Sequence, residues 1–265
     1  MGHVAAALDA MGAALVSAPV LATRGLDKSF GSLVVAKDIE IALPRGVRYA
    51  LIGPNGAGKT TLINLMTGML RPDGGQIMLG GEDITALGPE ERVRRGLVRT
   101  FQINSLFPHL NPLEAVTLAI CEREKIARTW WRPTSDYRAA VDEAYGILDS
   151  LMLGPVCIRE TRELPYGQQR LLEIALALAT RPKVLLLDEP AAGVPREESA
   201  ELFTAITSLS QDITVLFIEH DMELVFRLAT RIIVMVGGRI LVEGTPEEIS
   251  ADPRVREVYL GGAHG

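Results

Sequence analysis

Two stretches of the chain carry residue types whose spacing can do chemistry. Gly53-Pro54-Asn55-Gly56-Ala57-Gly58-Lys59-Thr60-Thr61 fits G-x-x-x-x-G-K-[ST], the loop that wraps nucleotide phosphates. Glycines let successive N–H groups turn inward as a concave nest, and the helix that follows aims its positive end at the anion. In such a loop Lys59 reaches the β- and γ-phosphates and the Thr60 hydroxyl faces Mg²⁺. The second stretch, Leu185-Leu186-Leu187-Asp188-Glu189, ends an apolar run in two adjacent carboxylates. Open α/β sheets place their ligands at that edge. Asp188 can hold Mg²⁺ through its shell, and Glu189 is placed to take a proton from an attacking water. A glycine turn that binds nothing, or two acids on a solvated loop, would account for either stretch alone. Their joint presence points to a nucleoside triphosphate.

Elements able to position these residues are readable around them. Tyr49-Ala50-Leu51-Ile52 has strand character before the loop, and Leu62, Leu65 and Met66 share one helical face after it. Upstream, residues 20–46 read as β-rich, with strands at 33–35 and 39–43. Residues 76–79 read as a strand, 90–95 as a short charged helix and 97–101 as a strand stopping at Gln102. Prolines at 108 and 112 introduce helices over 113–125 and 136–151, joined through Trp130 and Trp131, which either pack within this insert or anchor a partner. A helix through Leu171, Ile174, Ala175 and Leu178 leads into Lys183-Val184-Leu185-Leu186-Leu187-Asp188, a run suited to a parallel strand buried on both faces. A helix over 197–208, a strand over 213–218 and a helix over 222–229 follow. Strands at 231–236 and 239–243 flank the turn Gly237-Gly238, and two helices, 246–250 and 254–260, close the chain.

Composition narrows the partners. A net charge of −6 argues against nucleic acid, whose phosphate backbone needs basic surfaces. Cys121 and Cys157 have neither disulfide-framework nor metal-site spacing and read as buried filler. The alanine-rich residues 1–19 lack the basic start of a secretory signal and are too weakly apolar for a membrane span, so they read as a poorly ordered extension. If the protein works at a membrane, another chain must bring it there.

The stretch Leu164-Pro165-Tyr166-Gly167-Gln168, opening a helix, resembles the signature of ABC-transporter ATPases, usually Leu-Ser-Gly-Gly-Gln. Phe30, Gln102 and His220 fall where that family carries an adenine-stacking aromatic, a glutamine joining core to helical subdomain, and a histidine after the next strand. The resemblance covers nearly the whole chain from about residue 20. It implies an α/β fold: a phosphate-loop core (20–102 and 165–245) with an antiparallel β subdomain, an inserted helical subdomain (103–164) and a helical tail (246–265). It implies ATP and Mg²⁺ as ligands, with Thr60, Gln102 and Asp188 toward the metal and Glu189, Gln102 and His220 toward hydrolysis. Residues 53–61 and Phe30 would bind ATP in one chain, and residues 164–168 would bind it in trans across a dimer, homomeric or heteromeric.

Finer wording in Val98-Arg99-Thr100-Phe101-Gln102, Tyr166-Gly167-Gln168-Gln169-Arg170, Pro190-Ala191-Ala192-Gly193, Ile218-Glu219-His220-Asp221-Met222 and Val258-Tyr259-Leu260-Gly261 is similar to the branched-chain amino-acid importer subfamily, in particular its larger ATPase subunit. That implies a peripheral subunit on the cytoplasmic face of a membrane, working with permease subunits and, indirectly, a solute-binding protein. Importers of urea, amides or aromatic acids share much of this wording, so the implied solute is a branched-chain amino acid or a related small polar solute; a structural subunit with weak hydrolysis, or a cassette of a lipid-precursor exporter, are the alternatives. Two positions depart from the pattern. Pro165 replaces the usual serine and removes a hydroxyl and an N–H. Pro195 stands where an acid or asparagine is common.

Overall fold

The computed structural model describes residues 18–100, 106–125 and 134–260. Residues 1–17, Gln102, Trp130, Trp131 and Gly261, and the expectations attached to them, lie outside the described residues.

Strands β1 (Leu21–Phe30) and β2 (Leu33–Leu43) form an antiparallel hairpin, and β3 (Arg48–Ile52) runs into the glycine loop and helix α1 (Lys59–Thr67). Next come β4 (Gly74–Leu79), β5 (Glu82–Asp83), α2 (Pro89–Arg94) and β6 (Leu97–Arg99). Helices α3 (Pro112–Arg123) and α4 (Thr134–Ser150) follow, before the chain returns to the sheet. The remainder is α5 (Tyr166–Leu178), β7 (Val184–Asp188), α6 (Arg196–Ser208), β8 (Thr214–Ile218), α7 (Met222–Leu228), β9 (Arg231–Val236), β10 (Arg239–Gly244), α8 (Pro246–Ala251) and α9 (Pro253–Leu260).

Two sheets result. One is antiparallel, in the order β2-β1-β4-β5; the other, β10-β9-β3-β8-β7-β6, is parallel throughout except for the β9–β10 hairpin. Strands β3, β7, β8 and β9 of the second sheet are buried on both faces, so they are apolar runs rather than alternating ones. Ala50, Ile52, Leu185, Leu187, Val215 and Phe217 turn toward the helices of the insert and of the C-terminal half. Tyr49, Leu51, Val184, Leu186, Leu216 and Ile218 turn toward α1 and the antiparallel sheet. The phosphate loop leaves β3, flanked by β8 and β9, with both cores behind it.

Local chemistry explains where elements begin. Asn111 and Glu114 cap α3 reciprocally with Pro112 at its first position, and Thr245 and Glu248 do the same for α8. Glu143 of α4 bridges Arg123 of α3, at 2.8 Å, and Arg181 beyond α5, at 2.9 Å, tying the three helices together. Cys121 and Cys157 are both buried and unbridged.

One feature differs from the sequence reading. Residues 33–35 and 39–43 are one strand, because Asp38 adopts φ 52° and its N–H donates to Asp27 Oδ1 at 2.8 Å, letting β2 kink without ending. The charged helix expected at 90–95 is present as α2 and carries a buried charge, Arg92 being 1% exposed. Its guanidinium donates to the carbonyls of Leu65, Met66, Thr85 and Leu87 at 2.6–2.9 Å. It thereby gathers the carbonyls at the C-terminal end of α1, where Leu65 O also accepts from the capping Gly68 N at 3.2 Å. Among the described residues no helix is long and apolar enough to cross a membrane.

Candidate active site

The three glycines of the phosphate loop answer different demands. A Cβ on Gly53 (φ 153°) would lie 2.0 Å from the Met235 carbonyl of β9, and one on Gly58 (φ 101°) would lie 2.3 Å from the Val35 carbonyl of β2. Gly56 (φ 77°) faces open space. Two glycines therefore permit close packing of main chain, and the third shapes the open concavity. Lys59 is 8% exposed and donates to Gly53 O at 2.7 Å and Pro54 O at 3.0 Å, stapling the loop from inside. Burial pushes its ammonium below the usual lysine range, while the nearby Glu189 and Asp188 charges oppose this. From outside, Gly238 N donates to Ala57 O at 3.0 Å. Helix α1 has no side-chain cap and no acid in its first turn. Its leading N–H groups are left for an anion, and a phosphate fits that vacancy in the hydrogen-bond pattern. Thr60 and Thr61 occupy the same first turn, Thr60 exposed.

Asp188 ends β7, and β6 runs parallel beside it, so Arg99 comes abreast of the sheet edge. The Arg99 guanidinium donates to the Asp188 carboxylate and, at 2.7 Å, to Asn64 Oδ1 of α1. Asp188 thus draws a cation within its own chain, and its carboxylate, with the exposed Thr60 hydroxyl, is a donor set suited to Mg²⁺. Among the described residues no group of three or more His, Cys, Asp or Glu could hold a metal by itself. Mg²⁺ accompanying phosphates needs only one or two protein ligands.

Glu189 has φ 48°, a left-handed backbone rare outside glycine. Its N–H donates to Ile218 O at 3.0 Å, turning the chain off β7 against the end of β8. Its carboxylate then meets the His220 ring, with Nε2 2.9 Å from Oε1. Both side chains are nearly half exposed, open to water and a phosphate. A carboxylate accepts only, so an ionised Glu189 fixes the His220 proton on Nε2.

At the signature stretch, Leu164 is buried and Pro165 stands at the N-cap of α5 rather than inside its first turn. No side chain caps this helix there. Gly167 N donates instead to Glu198 Oε2 of α6 at 2.6 Å, and Gln168 Oε1 is buried without a partner among the described residues. Tyr166 and Arg170 touch the loop after Glu189: Arg170 Nη2 lies 3.4 Å from Ala192 O, and Tyr166 packs at Gly193. A cleft of about 550 Å³ opens beside these groups, lined by Thr60, Arg99, Arg170, Asp188, Glu189 and Ala192 among others.

The structure thus brings together Lys59, Asp188, Glu189 and His220, with Thr60 across the same cleft. Phe30 stands apart at the β1–β2 hairpin tip, 53% exposed, with Lys28 Nζ 5.5 Å from its ring centre. Arg99, Asn64 and Glu198 had no role assigned from sequence. Arg99 alone had a legible signal: a charge ending an apolar strand run at the edge where ligands sit.

Residues 36–192 match the family model described as ABC transporter, and residues 239–265 match that described as Branched-chain amino acid ATP-binding cassette transporter. The chain is 39% identical to the high-affinity branched-chain amino acid transport ATP-binding protein BraF of Pseudomonas aeruginosa, covering 94% of this chain and 100% of that protein. It is 34% identical to a probable branched-chain amino acid transport ATP-binding protein LivG of Methanocaldococcus jannaschii, covering 91% and 97%. Among solved structures, an ATP-binding cassette of an ABC transporter in its ADP conformation superposes with a TM-score of 0.80 at 33% identity, covering 92% of this chain and 100% of that one. CbiO1 of Clostridium perfringens, part of the transporter complex CbiONQ, superposes with a TM-score of 0.75 at 27% identity, covering 92% and 96%. The phosphate loop, the acid pair and the signature helix all fall within the first match, and the chain belongs to the ABC-transporter family of ATPases, in its branched-chain amino-acid branch.

Proposed function

We propose that this chain is the ATP-hydrolysing subunit that powers import of branched-chain amino acids through a separate membrane permease. The observation that carries the hydrolytic role is the Glu189–His220 pair, 2.9 Å apart at the sheet edge beside Lys59 and Asp188. Glu189 takes the proton of the attacking water, and His220 holds Glu189 in place and faces the γ-phosphate. Lys59 and the first-turn N–H groups of α1 hold the phosphates. Bound Mg²⁺ would neutralise the developing phosphate charge, with Thr60 and Asp188 as its protein ligands, joined by Gln102. Phe30 offers its exposed ring to adenine.

The cargo reading rests on the relatives' names, which are those of branched-chain amino acid transport proteins. We further propose that two ATPase subunits close face to face at the cytoplasmic side of the membrane. Residues 164–168 of each would then meet the phosphates held by the other, and permease subunits would supply the path. Core (20–102 and 165–245), helical insert (103–164) and C-terminal tail (246–265) are the working units of this reading.

The test is uptake into proteoliposomes carrying the transporter assembled with its permease and solute-binding protein, with ATP inside. Leucine, isoleucine or valine accumulates, and Glu189→Gln abolishes both accumulation and hydrolysis. Hydrolysis unchanged in Glu189→Gln would overturn the catalytic reading, and hydrolysis without uptake of any of the three would overturn the cargo. A second reading, a subunit that binds ATP while its partner carries most turnover, is favoured by Pro165 at the N-cap and by Glu198 occupying the Gly167 N–H.

A further inference from the structure

Glu219 is the carboxylate that the hydrolytic reading leaves without a task. It follows β8 directly, is 5% exposed, and pairs with no Lys or Arg among the described residues. Its two oxygens accept from main chain instead: Oε1 from Ala191 N at 2.9 Å and Oε2 from His220 N at 3.1 Å. Burial pushes its carboxyl above the usual range, with the Glu189 charge adding to this and the two N–H groups opposing it. A neutral side chain of that size would sit there at lower desolvation cost, so the acid is a poor choice as filler.

Its contacts close a ring. Glu189 N donates to Ile218 O at 3.0 Å, and the His220 ring returns to Glu189 Oε1 at 2.9 Å. Glu219 spans the remaining gap, fixing the segment after Glu189 to the backbone of His220. Without that brace, beyond the end of the β7–β8 ladder the turn carrying Glu189 is held to this segment by the Glu189–Ile218 main-chain bond and one partly exposed side-chain contact. The same segment continues into Ala192 and Gly193, which touch Arg170 and Tyr166 of the signature helix.

We propose that Glu219 is a positioning residue for hydrolysis, holding Glu189 and His220 at their working separation and locking the loop between Glu189 and the signature helix. The proposal rests on the reading of Glu189 and His220 given above. Glu219 is buried with both oxygens taken by main-chain N–H groups, and acts through its neighbours.

The experiment compares Glu219→Gln, Glu219→Asp and Glu189→Gln in the transporter reconstituted with its permease. It measures kcat and KM for ATP together with the melting temperature. Glu219→Gln keeps shape and removes the buried charge, but turns an NH₂ toward one of the two N–H groups. A filler role therefore predicts unchanged kcat, with at most the modest loss of thermal stability that one unpaired N–H brings. Positioning predicts that kcat falls by about tenfold or more while KM stays within about twofold and the protein remains fully folded at the assay temperature. Glu219→Asp, one methylene short of spanning both donors, falls between Glu219→Gln and wild type. Wild-type kcat in Glu219→Gln, or loss of kcat matched by loss of folded protein, overturns the proposal. Turnover retained in Glu189→Gln identifies failure of the underlying reading instead.

Discussion

Alanine at Gly238 and alanine at Gly237 are chemically identical changes in one turn, yet the structure assigns them different costs. Both residues have positive φ, 52° at Gly237 and 76° at Gly238, so either alanine meets a left-handed backbone penalty of about 1–2 kcal/mol. At Gly237 the new methyl finds nothing within 4 Å. At Gly238 it lies 2.9 Å from the Val35 carbonyl carbon, 3.1 Å from its oxygen and 3.2 Å from Ala36 N, all main-chain atoms that cannot rotate aside. Overpacking of this kind adds about 1–3 kcal/mol, for a total of about 2–5 kcal/mol. Gly238 also accepts from Lys37 N at 2.8 Å and donates to Ala57 O at 3.0 Å, so a shift there strains the phosphate loop. Urea unfolding of the two variants measures the first difference, and equilibrium ATP binding to the folded proteins measures the second. Gly238→Ala is expected to lose both stability and ATP affinity, and Gly237→Ala stability alone, by the smaller amount. Losses equal to within about 0.5 kcal/mol would refute the close-contact reasoning, since backbone strain alone would then account for both.

Arg99→Gln removes the chain's own cation from Asp188; the Mg²⁺ concentration for half-maximal binding of Mg·ATP is expected to fall several-fold, and a rise would contradict the competition. Pro165→Ser supplies the missing cap of α5, worth about 1 kcal/mol of stability in denaturation. It should also raise the ATPase rate of the assembled transporter, and an unchanged rate would count against a functional cost of the proline. Burial lifts the Glu173 carboxyl to about 7, with Arg170 opposing. The folded state therefore keeps a proton there that the unfolded chain has released, so this group favours folding below pH 4.5 and loses that contribution as pH rises toward 7. The change is on the order of 3 kcal/mol, and Glu173→Gln should flatten the dependence of urea-unfolding stability on pH between 5 and 7.5. Equal slopes for the two proteins would mean that Glu173 titrates normally.

Local patterns carried most of the architecture. The run from Val184 to Asp188 announces a central strand, because burial on both faces removes alternation, and the glycine loop announces its own strand and helix. Glu189 was legible through adjacency to Asp188. Its left-handed backbone was not, because that depends on an N–H bond to Ile218, a residue of another strand. Arg92 illustrates the same limit. In sequence it belongs to a charged helix with acids at its start, and only the placement of α1 beside it reveals four carbonyl partners. Arg99 meets Asp188 only because β6 and β7 are neighbours in the sheet order. Pairings across tens of residues follow from topology, and neither propensity nor spacing encodes them.

The main-chain vice around the glycine loop has a kinetic consequence. Gly53 is held against Met235 and Gly58 against Val35, while Lys59 ties the loop to itself. The entropy of shaping these residues is given up during folding rather than at nucleotide capture. Encounter is then governed by diffusion and orientation, with little waiting for the loop to form. Changes at the open Gly56 face would therefore register chiefly in how long a nucleotide stays, not in how fast it arrives.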